Sequence, residues 1–418
     1  MVSSLLTTHT HTTRNTHIHT YISLVPADGE IVFVTHEWLS WAHPDPNGEQ
    51  LRVLCTIMER LRGGDIERTT LDGVAQLLYN TSFETCRKDW CEILSRCYIW
   101  FDWISMPQPS AEKEDIGKEN MELLQKQGMC KSNVSFSLSL SLSISHTHIY
   151  PLNQSPPTNQ GSNAIRSIPA YVERSDFMLI LVPGCHHSDR KVPTCYRTWR
   201  RRGWCLLELF ASFMARDTTN PPLLVRSARG EPSYISSMEI VKLSIGMADF
   251  TCCQRNHIIT TETQKILSGG NVKKIPCDKP IAGSILKQLI HAKINHWFNA
   301  EQDYAMGRLF SCFEAFWCRN TFAEQNESED SEMFKKRLRW SEKKGDKVWF
   351  DRHQIGILSY VAIRNNEEVM RELLKRLPVH IFFSFSLSIS LSLSLSLSLS
   401  THTHTHTRIS GTGKTKNS

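Results

Sequence analysis

Two-residue repeats limit how much of this chain can fold around a hydrophobic core. Ser alternates with Leu or Ile at 137–143 and, apart from Phe385, at 384–400, and Thr alternates with His within 7–13, where the first and last Thr are doubled, and at 401–407. Repeated TC and AC dinucleotides in DNA translate as Ser-Leu and Thr-His, so we interpret these tracts as translated microsatellite sequence. We expect the low-complexity stretches that contain them to be disordered: 1–20, 129–158 and 379–418.

The remaining roughly 330 residues are enough for one or two globular domains. The whole chain has a formal net charge of +6, but the three low-complexity stretches contain five Lys or Arg and no Asp or Glu, so the remainder has a charge of +1. A near-neutral remainder gives no electrostatic reason for a nucleic-acid partner. The tail from Val379 to Ser400 is long enough to cross a bilayer, but Ser alternates through it, and we expect no membrane partner.

The thirteen Cys residues are scattered, and no two have the Cys-x-x-Cys spacing. This argues against a disulfide framework or a zinc ribbon and favours reduced thiols in the cytoplasm. One local group has ligand chemistry, namely Cys185, His186, His187 and Cys195. A metal site and a polar loop after a strand both remain open there, and we favour the loop, so the sequence predicts no metal site. No signal peptide is recognisable at the N-terminus.

Short apolar runs alternate with helical patterns between about 21 and 230. The predicted strands are 31–34, 97–103, 176–182 and 223–225. The predicted helices are 51–61, ended by the glycine pair Gly63-Gly64, then 71–96, with a break near Asn80 as an alternative, and 163–174 and 203–214. Near-continuous apolar strands that alternate with helices predict an α/β domain with a parallel sheet flanked by helices on both faces.

A mainly helical C-terminal region follows the α/β domain. Residues 231–347 are predicted to be a helical extension and linker, with helices at 281–298 and 302–318. From 353 to 377 the pattern changes to two short helices with a turn at Asn365-Asn366.

The start of the predicted helix 203–214 is unusually basic, with four Arg between 197 and 202. The positive end of a helix dipole disfavours cations, so a bound phosphate would relieve the conflict. The alternative, a turn with solvated Arg side chains, is the favoured one. Glu208 lies in the first turns of the same helix, flanked by leucines. The dipole and the Arg side chains favour its carboxylate form, which suits it to stabilising a developing positive charge.

The order of these elements, with the Trp-Cys-x-x-Glu-Leu motif at Trp204–Leu209, resembles the Toll/interleukin-1 receptor (TIR) superfamily. In that family a first strand ends in a short polar motif, here Val34–Trp38, and a second strand has an acidic end, here Trp100–Trp103. A helix and an apolar strand then precede the Trp-Cys helix, here 164–174 and 176–182. The resemblance implies a TIR- or flavodoxin-like α/β fold over about 21–230.

The stretch Tyr98–Gln108, followed by Glu112 and Glu114, also resembles the fungal heterokaryon-incompatibility domain, which is considered related to TIR domains.

In TIR domains that cleave NAD, the Glu of this motif is the catalytic residue. The resemblance therefore implies that Glu208 is catalytic and that NAD is a substrate, with no resident cofactor. Cleavage of the nicotinamide–ribose bond builds an oxocarbenium-like ribose, which a fixed carboxylate can stabilise. We expect substrate-binding roles for His36, Trp38, Asp102, Trp103, Arg200, Arg201, Arg202 and Trp204. Many TIR domains are scaffolds, so a non-enzymatic interaction scaffold remains the alternative.

The segment Gly356–Leu377 resembles one ankyrin repeat, with Gly356, Leu358 and Ala362 at its start and Asn366 at its turn. A single repeat cannot bury its own apolar face, so we interpret 348–378 as the start of a truncated array. An ordinary two-helix hairpin is an equally weighted alternative. Together the two resemblances imply a cytoplasmic signalling protein that self-associates as a homo-oligomer through its TIR-like domain and binds protein partners through its ankyrin-type region.

Overall fold

The chain divides into two compact units, Met1–Asn326 and Glu327–Ser418. The structure is a computed structural model, and the residues it describes are 30–41, 43–79, 82–101, 158–215, 220–259, 273–274, 276–321, 329–341, 350–351 and 355–376. Apart from Thr158, the three low-complexity stretches lie outside the described residues. Their disorder therefore stays a prediction.

Strands and helices alternate along the first unit. Its strands are β1 (Glu30–His36), β2 (Arg68–Thr70), β3 (Glu84–Cys86), β4 (Cys97–Phe101), β5 (Phe177–Leu181), β6 (Cys185–His187), β7 (Val192–Thr194), β8 (Leu223–Val225), β9 (Ser233–Tyr234), β10 (Ile258–Ile259) and β11 (Lys273–Lys274). Its helices are α1 (Glu49–Gly63), α2 (Gly73–Tyr79), α3 (Arg87–Ser95), α4 (Thr158–Glu173), α5 (Tyr196–Trp199), α6 (Gly203–Met214), α7 (Ser237–Val241), α8 (Thr251–Gln254), α9 (Lys279–Asn299) and α10 (Tyr304–Trp317), with a 3-10 helix at Ile245–Met247.

The central sheet has five strands in the order β4-β1-β5-β8-β9. The first four are parallel to their neighbours, which confirms the α/β class and the four predicted strands. The sheet is nevertheless mixed, because β9 runs antiparallel to β8. The connection between them, residues 226–232, is too short for the helical crossover that a parallel return requires.

Each face of the sheet packs against its own apolar cluster. Alternate residues of β1 divide between the clusters: Phe33 packs on the side of α4 and α6, while Val32 and Val34 pack on the side of α1 and α3. This is the period of two that a strand buried on both faces requires. Helices α9 and α10 pack against each other, and α9 packs on α6, so the predicted helices at 281–298 and 302–318 are confirmed and belong to the first unit.

One predicted helix is partly wrong. Helix α2 ends at Tyr79, next to the break considered near Asn80, but β3 lies between α2 and α3 and pairs antiparallel with β2. Tertiary contacts favour the strand here: the Thr85 hydroxyl lies 2.6 Å from the Tyr234 hydroxyl, and the Trp90 indole donates to Thr69 at 3.0 Å. Such contacts override helix propensity in a short segment.

The second unit contains three described helices, α11 (Ser331–Arg337), α12 (Ile357–Arg364) and α13 (Glu367–Arg376). The predicted pair of short helices at 353–377 is confirmed, and its turn is at Asn365, which is left-handed with φ 57°. An ankyrin identity for this pair stays a prediction. Within the described part of the whole chain, no helix combines the length and the apolar composition needed to cross a membrane.

Candidate functional site

Glu208 lies inside the first unit, where α6 passes the carboxyl end of β1. It is the only charged residue of α6, a helix that is apolar on all sides and buried for most of its length. Its side chain is 6 % exposed. A buried carboxylate is costly unless it is hydrogen-bonded, and the Thr35 hydroxyl of β1 donates to Glu208 Oε2 at 2.5 Å.

The Thr35 hydroxyl is itself held in place. The Trp199 indole of α5 donates to Thr35 Oγ1 at 3.2 Å, so the hydroxyl accepts one hydrogen bond and gives its own proton to Glu208. A hydroxyl has a single proton to donate. These two hydrogen bonds therefore fix the orientation of the Thr35 hydroxyl and the position of the Glu208 carboxylate.

A second buried carboxylate, Glu37, follows β1 directly and is 3 % exposed. The Thr198 hydroxyl donates to Glu37 Oε2 at 2.5 Å. Burial raises the pKa of Glu37 above its usual value, and the hydrogen bond from Thr198 and the charges of Arg202 and Arg190 only partly oppose the shift. Glu37 was not among the predicted site residues, although Thr35 and Glu37 are two positions apart, the spacing that places strand residues on one side.

The two carboxylates are connected through α5. Its adjacent residues Thr198 and Trp199 contact Glu37 and Thr35, and Thr35 contacts Glu208. A single turn of helix therefore positions both acids at the end of β1.

The side chain of His36, a predicted substrate-binding residue, contacts α1 and β4. Its Nδ1 is 2.7 Å from Gln50 Oε1 of α1, and its ring stacks on Phe101 at 4.4 Å between centroids. Since side chains alternate along a strand, His36 faces α1 while Thr35 faces α6. Trp38 is half-buried in the segment after β1.

The predicted arginines do not share one anion site. Arg200 pairs with Glu239 at 3.7 Å and Arg201 with Asp249 at 3.4 Å, and both arginines are more than a third exposed. The protein's own carboxylates therefore balance the positive charge at the start of α6. Arg202 differs: its Nη2 donates to Thr251 at 2.8 Å, while its Nη1 is buried and has no hydrogen-bond partner among the described residues.

Trp204 points toward the loop before α9. Its indole donates to Asp278 Oδ2 at 3.1 Å, and its ring meets Phe250 edge-on with the centroids 6.2 Å apart. The other two predicted site residues, Asp102 and Trp103, lie outside the described residues.

A cysteine-histidine cluster lies next to Asp278. In the described part of the chain, one group of three or more potential metal ligands has all its ligand atoms within 4.8 Å of one another: Cys252, Cys253, His257 and Cys277. The sequence offered a signal for it, an adjacent cysteine pair followed four residues later by a histidine, but the last cysteine is distant along the chain.

The Cys-His group between Cys185 and Cys195, which was expected to be a polar loop, begins with a strand. Cys185–His187 is strand β6, which pairs antiparallel with Val192–Thr194 in a hairpin rather than forming an irregular loop. His187 is buried, and burial lowers the pKa of its ring below the usual value. Cys195 is exposed, and the described residues include no group of metal ligands there.

Comparison with family models, with curated proteins and with solved structures found no match to this chain.

Proposed function

We propose that this chain is a cytoplasmic signalling protein whose first unit is a TIR-like domain that self-associates and hydrolyses NAD at the nicotinamide–ribose bond. Its second unit would contribute ankyrin-type binding to a protein partner. The observation that carries the enzymatic part is the buried Glu208 carboxylate, held by Thr35 at the carboxyl end of β1. Ligands of open α/β sheets bind at the carboxyl ends of the strands.

The two carboxylates suit the two requirements of this hydrolysis. As the bond to nicotinamide breaks, its electron pair leaves with the neutral nicotinamide and positive charge develops on the ribose. A fixed carboxylate at Glu208 stabilises that charge. Water then bonds to the anomeric carbon and loses a proton, which Glu37 accepts and passes to solvent. A raised pKa, as Glu37 has, improves a carboxylate as a base near neutral pH.

The test is release of nicotinamide from NAD by the full-length protein, measured by liquid chromatography. We expect Glu208→Gln to lower the rate by about a hundredfold or more, the usual cost of losing transition-state charge stabilisation. Glu314→Gln is the matched control, because Glu314 is also a buried helical carboxylate of the first unit and bonds to His291 at 2.9 Å. Equal rates for wild type and Glu208→Gln would rule out the catalytic role.

The second candidate is a non-enzymatic interaction scaffold. Two observations favour it: Glu208 is only 6 % exposed, as a purely structural carboxylate would be, and α2 exposes three apolar side chains, Val74, Leu77 and Leu78. Exposed apolar groups on one helix are typical of interaction surfaces. If the scaffold is correct, wild-type protein at high concentration releases no nicotinamide. Sedimentation velocity would still show concentration-dependent association, and Leu77→Glu would weaken it.

A further inference from the structure

Three cysteine thiols and one histidine ring converge beside the start of α9. Cys252 and Cys253 belong to α8, His257 follows that helix, and Cys277 directly precedes Asp278, the residue at the start of α9. One ligand atom from each of the four lies within 4.8 Å of the other three. Cys252 is buried and the other three are partly buried, so the cluster is largely shielded from solvent.

The sulfur separations are those of metal coordination. Cys253 Sγ and Cys277 Sγ are 3.7 Å apart, and Cys252 Sγ and Cys253 Sγ are 4.0 Å apart. Tetrahedral Zn²⁺ with Zn–S bonds of about 2.3 Å places two thiolate sulfurs about 3.8 Å apart. Three cysteines with one histidine is also a common ligand set of structural zinc sites.

His257 supplies an independent indication. Its Nδ1 is buried and has no hydrogen-bond partner among the described residues. Buried polar atoms in folded proteins nearly always have a partner, and an exception calls for an explanation such as an ion. Asn256 and His257 are also both left-handed, with φ of 51° and 58°. This conformation is uncommon for residues other than glycine. Here it occurs at two successive residues, the second of which is the histidine itself.

One backbone group is placed to bond to a sulfur ligand at Cys252. The backbone N–H of Asp278 donates to Cys252 Sγ at 3.4 Å. Hydrogen bonds to ligating atoms orient the ligands and stabilise the charge that they carry.

We propose that Cys252, Cys253, His257 and Cys277 bind one Zn²⁺ ion in a tetrahedral structural site. On binding, each of the three thiols releases its proton to solvent and the histidine ring coordinates through a neutral nitrogen. Because all four positions are ligands, the site has no open position for a substrate and its role is to hold the fold.

The ion would join two segments that frame the start of α6. On one side, Thr251 accepts from Arg202, and the Asp249 carbonyl accepts from the Gly203 N–H at 3.0 Å. On the other, Asp278 accepts from Trp204. The zinc site therefore anchors the segments that contact the first residues of the helix carrying Glu208.

The direct test is the metal content of the full-length protein, purified under reducing conditions from zinc-supplemented medium and measured by plasma mass spectrometry. We expect about one zinc per chain in the wild type and a large loss in Cys277→Ser and in His257→Ala. Cys195→Ser is the matched control, since Cys195 is exposed and lies outside the cluster, and it should retain the zinc.

A second measurement does not depend on the folding of any variant. Replacement of zinc by Co²⁺ in the wild-type protein should give the intense visible bands of tetrahedral cobalt and a thiolate-to-cobalt charge-transfer band. Wild-type protein with little zinc and no cobalt–thiolate band would overturn the proposal. So would a Cys253–Cys277 disulfide, detected by peptide mapping, that persists in protein purified under reducing conditions. Neither readout involves NAD, so the zinc site stands or fails separately from the proposed hydrolysis.

Discussion

Glu37 is a buried acid whose ionisation weakens the fold. Because the pKa of Glu37 is raised in the folded state, the folded protein binds its proton more tightly than the unfolded chain does. Its contribution to stability is therefore fully present below the ordinary pKa of a glutamate and is lost as the pH rises toward the folded-state pKa.

We predict that Glu37→Gln becomes progressively more stabilising relative to wild type as the pH rises from 4.5 to 7.5. The glutamine side chain keeps an oxygen that can accept from Thr198, so the hydrogen bond is retained while the charge is removed. Melting temperatures of both proteins across this range are the measurement. A difference that stays constant with pH would contradict the prediction.

Gly203 is a position where adding a single methyl group should lower the stability of the fold. A Cβ at this residue would lie 2.2 Å from the ring of Phe250, which is itself buried. We predict that Gly203→Ala destabilises the protein by about 1–3 kcal/mol, the usual cost of overpacking a core. The matched control is Gly184→Ala, which would meet nothing within 4 Å and should change stability by less than about 0.5 kcal/mol. Denaturant unfolding followed by tryptophan fluorescence compares the two.

Among individual residues, the sequence identified those whose role is evident from their neighbours in the chain. Glu208 stands out as one charge in an apolar helix, and its burial follows from that pattern. Glu37 and Cys277 could not be identified in the same way. Glu37 matters because Thr198, 161 positions away, bonds to it, and Cys277 joins a cluster whose other members lie 20 or more positions earlier. Their roles depend on tertiary contacts.

Two capping residues define the turn between α12 and α13. Asn365 ends α12 in a left-handed conformation, and its N–H bonds to the carbonyls of the last helical turn. The next residue, Asn366, immediately precedes α13, and its side chain accepts from the Val369 N–H at 3.1 Å. Asparagine favours both roles, since it tolerates the left-handed region and caps helix starts.

We predict that Asn365→Val destabilises this pair by about 1 kcal/mol or more, because a β-branched residue is disfavoured at positive φ. Asn365→Gly is the control and should be close to neutral. Amide hydrogen exchange of peptides from 357–376 in the full-length protein is the measurement. Equal exchange in the valine and glycine variants would show that the turn conformation does not limit the stability of the pair.

Among the elements, apolar strands and glycine-terminated helices were predicted well. β5 is a continuous apolar run, and α1 ends at Gly63 and is followed by a left-handed glycine, Gly64 with φ 77°, as the pair Gly63-Gly64 indicates. The short strands β2, β3 and β9 were not predicted as strands. Each has three residues or fewer, too few to show a period of two, and none is a wholly apolar run like the Leu-Leu-Val of β8.

For the molecule as a whole, a bound zinc ion would raise the free energy of unfolding. An ion that binds the folded chain and not the unfolded one stabilises it by about 4 kcal/mol when its concentration is a thousand times the dissociation constant. We predict that a chelator under reducing conditions lowers the melting temperature of the wild-type protein and that added zinc restores it.

The matched comparison is Cys277→Ser, whose melting temperature should be unaffected by the chelator because the site is already lost. Cys195→Ser should behave like the wild type. An equal effect of the chelator on wild type and Cys277→Ser would show that the stabilising ion binds elsewhere.

Helix α6 is enclosed on nearly every side, with ten of its twelve residues buried between the sheet and the neighbouring helices. Water can reach the amides of such a segment only when the surrounding layers separate. The slowest-exchanging deuterium labels of the first unit should therefore be found in α6, and their rate would report the cooperative opening of that whole unit, in the intact protein and without any denaturant.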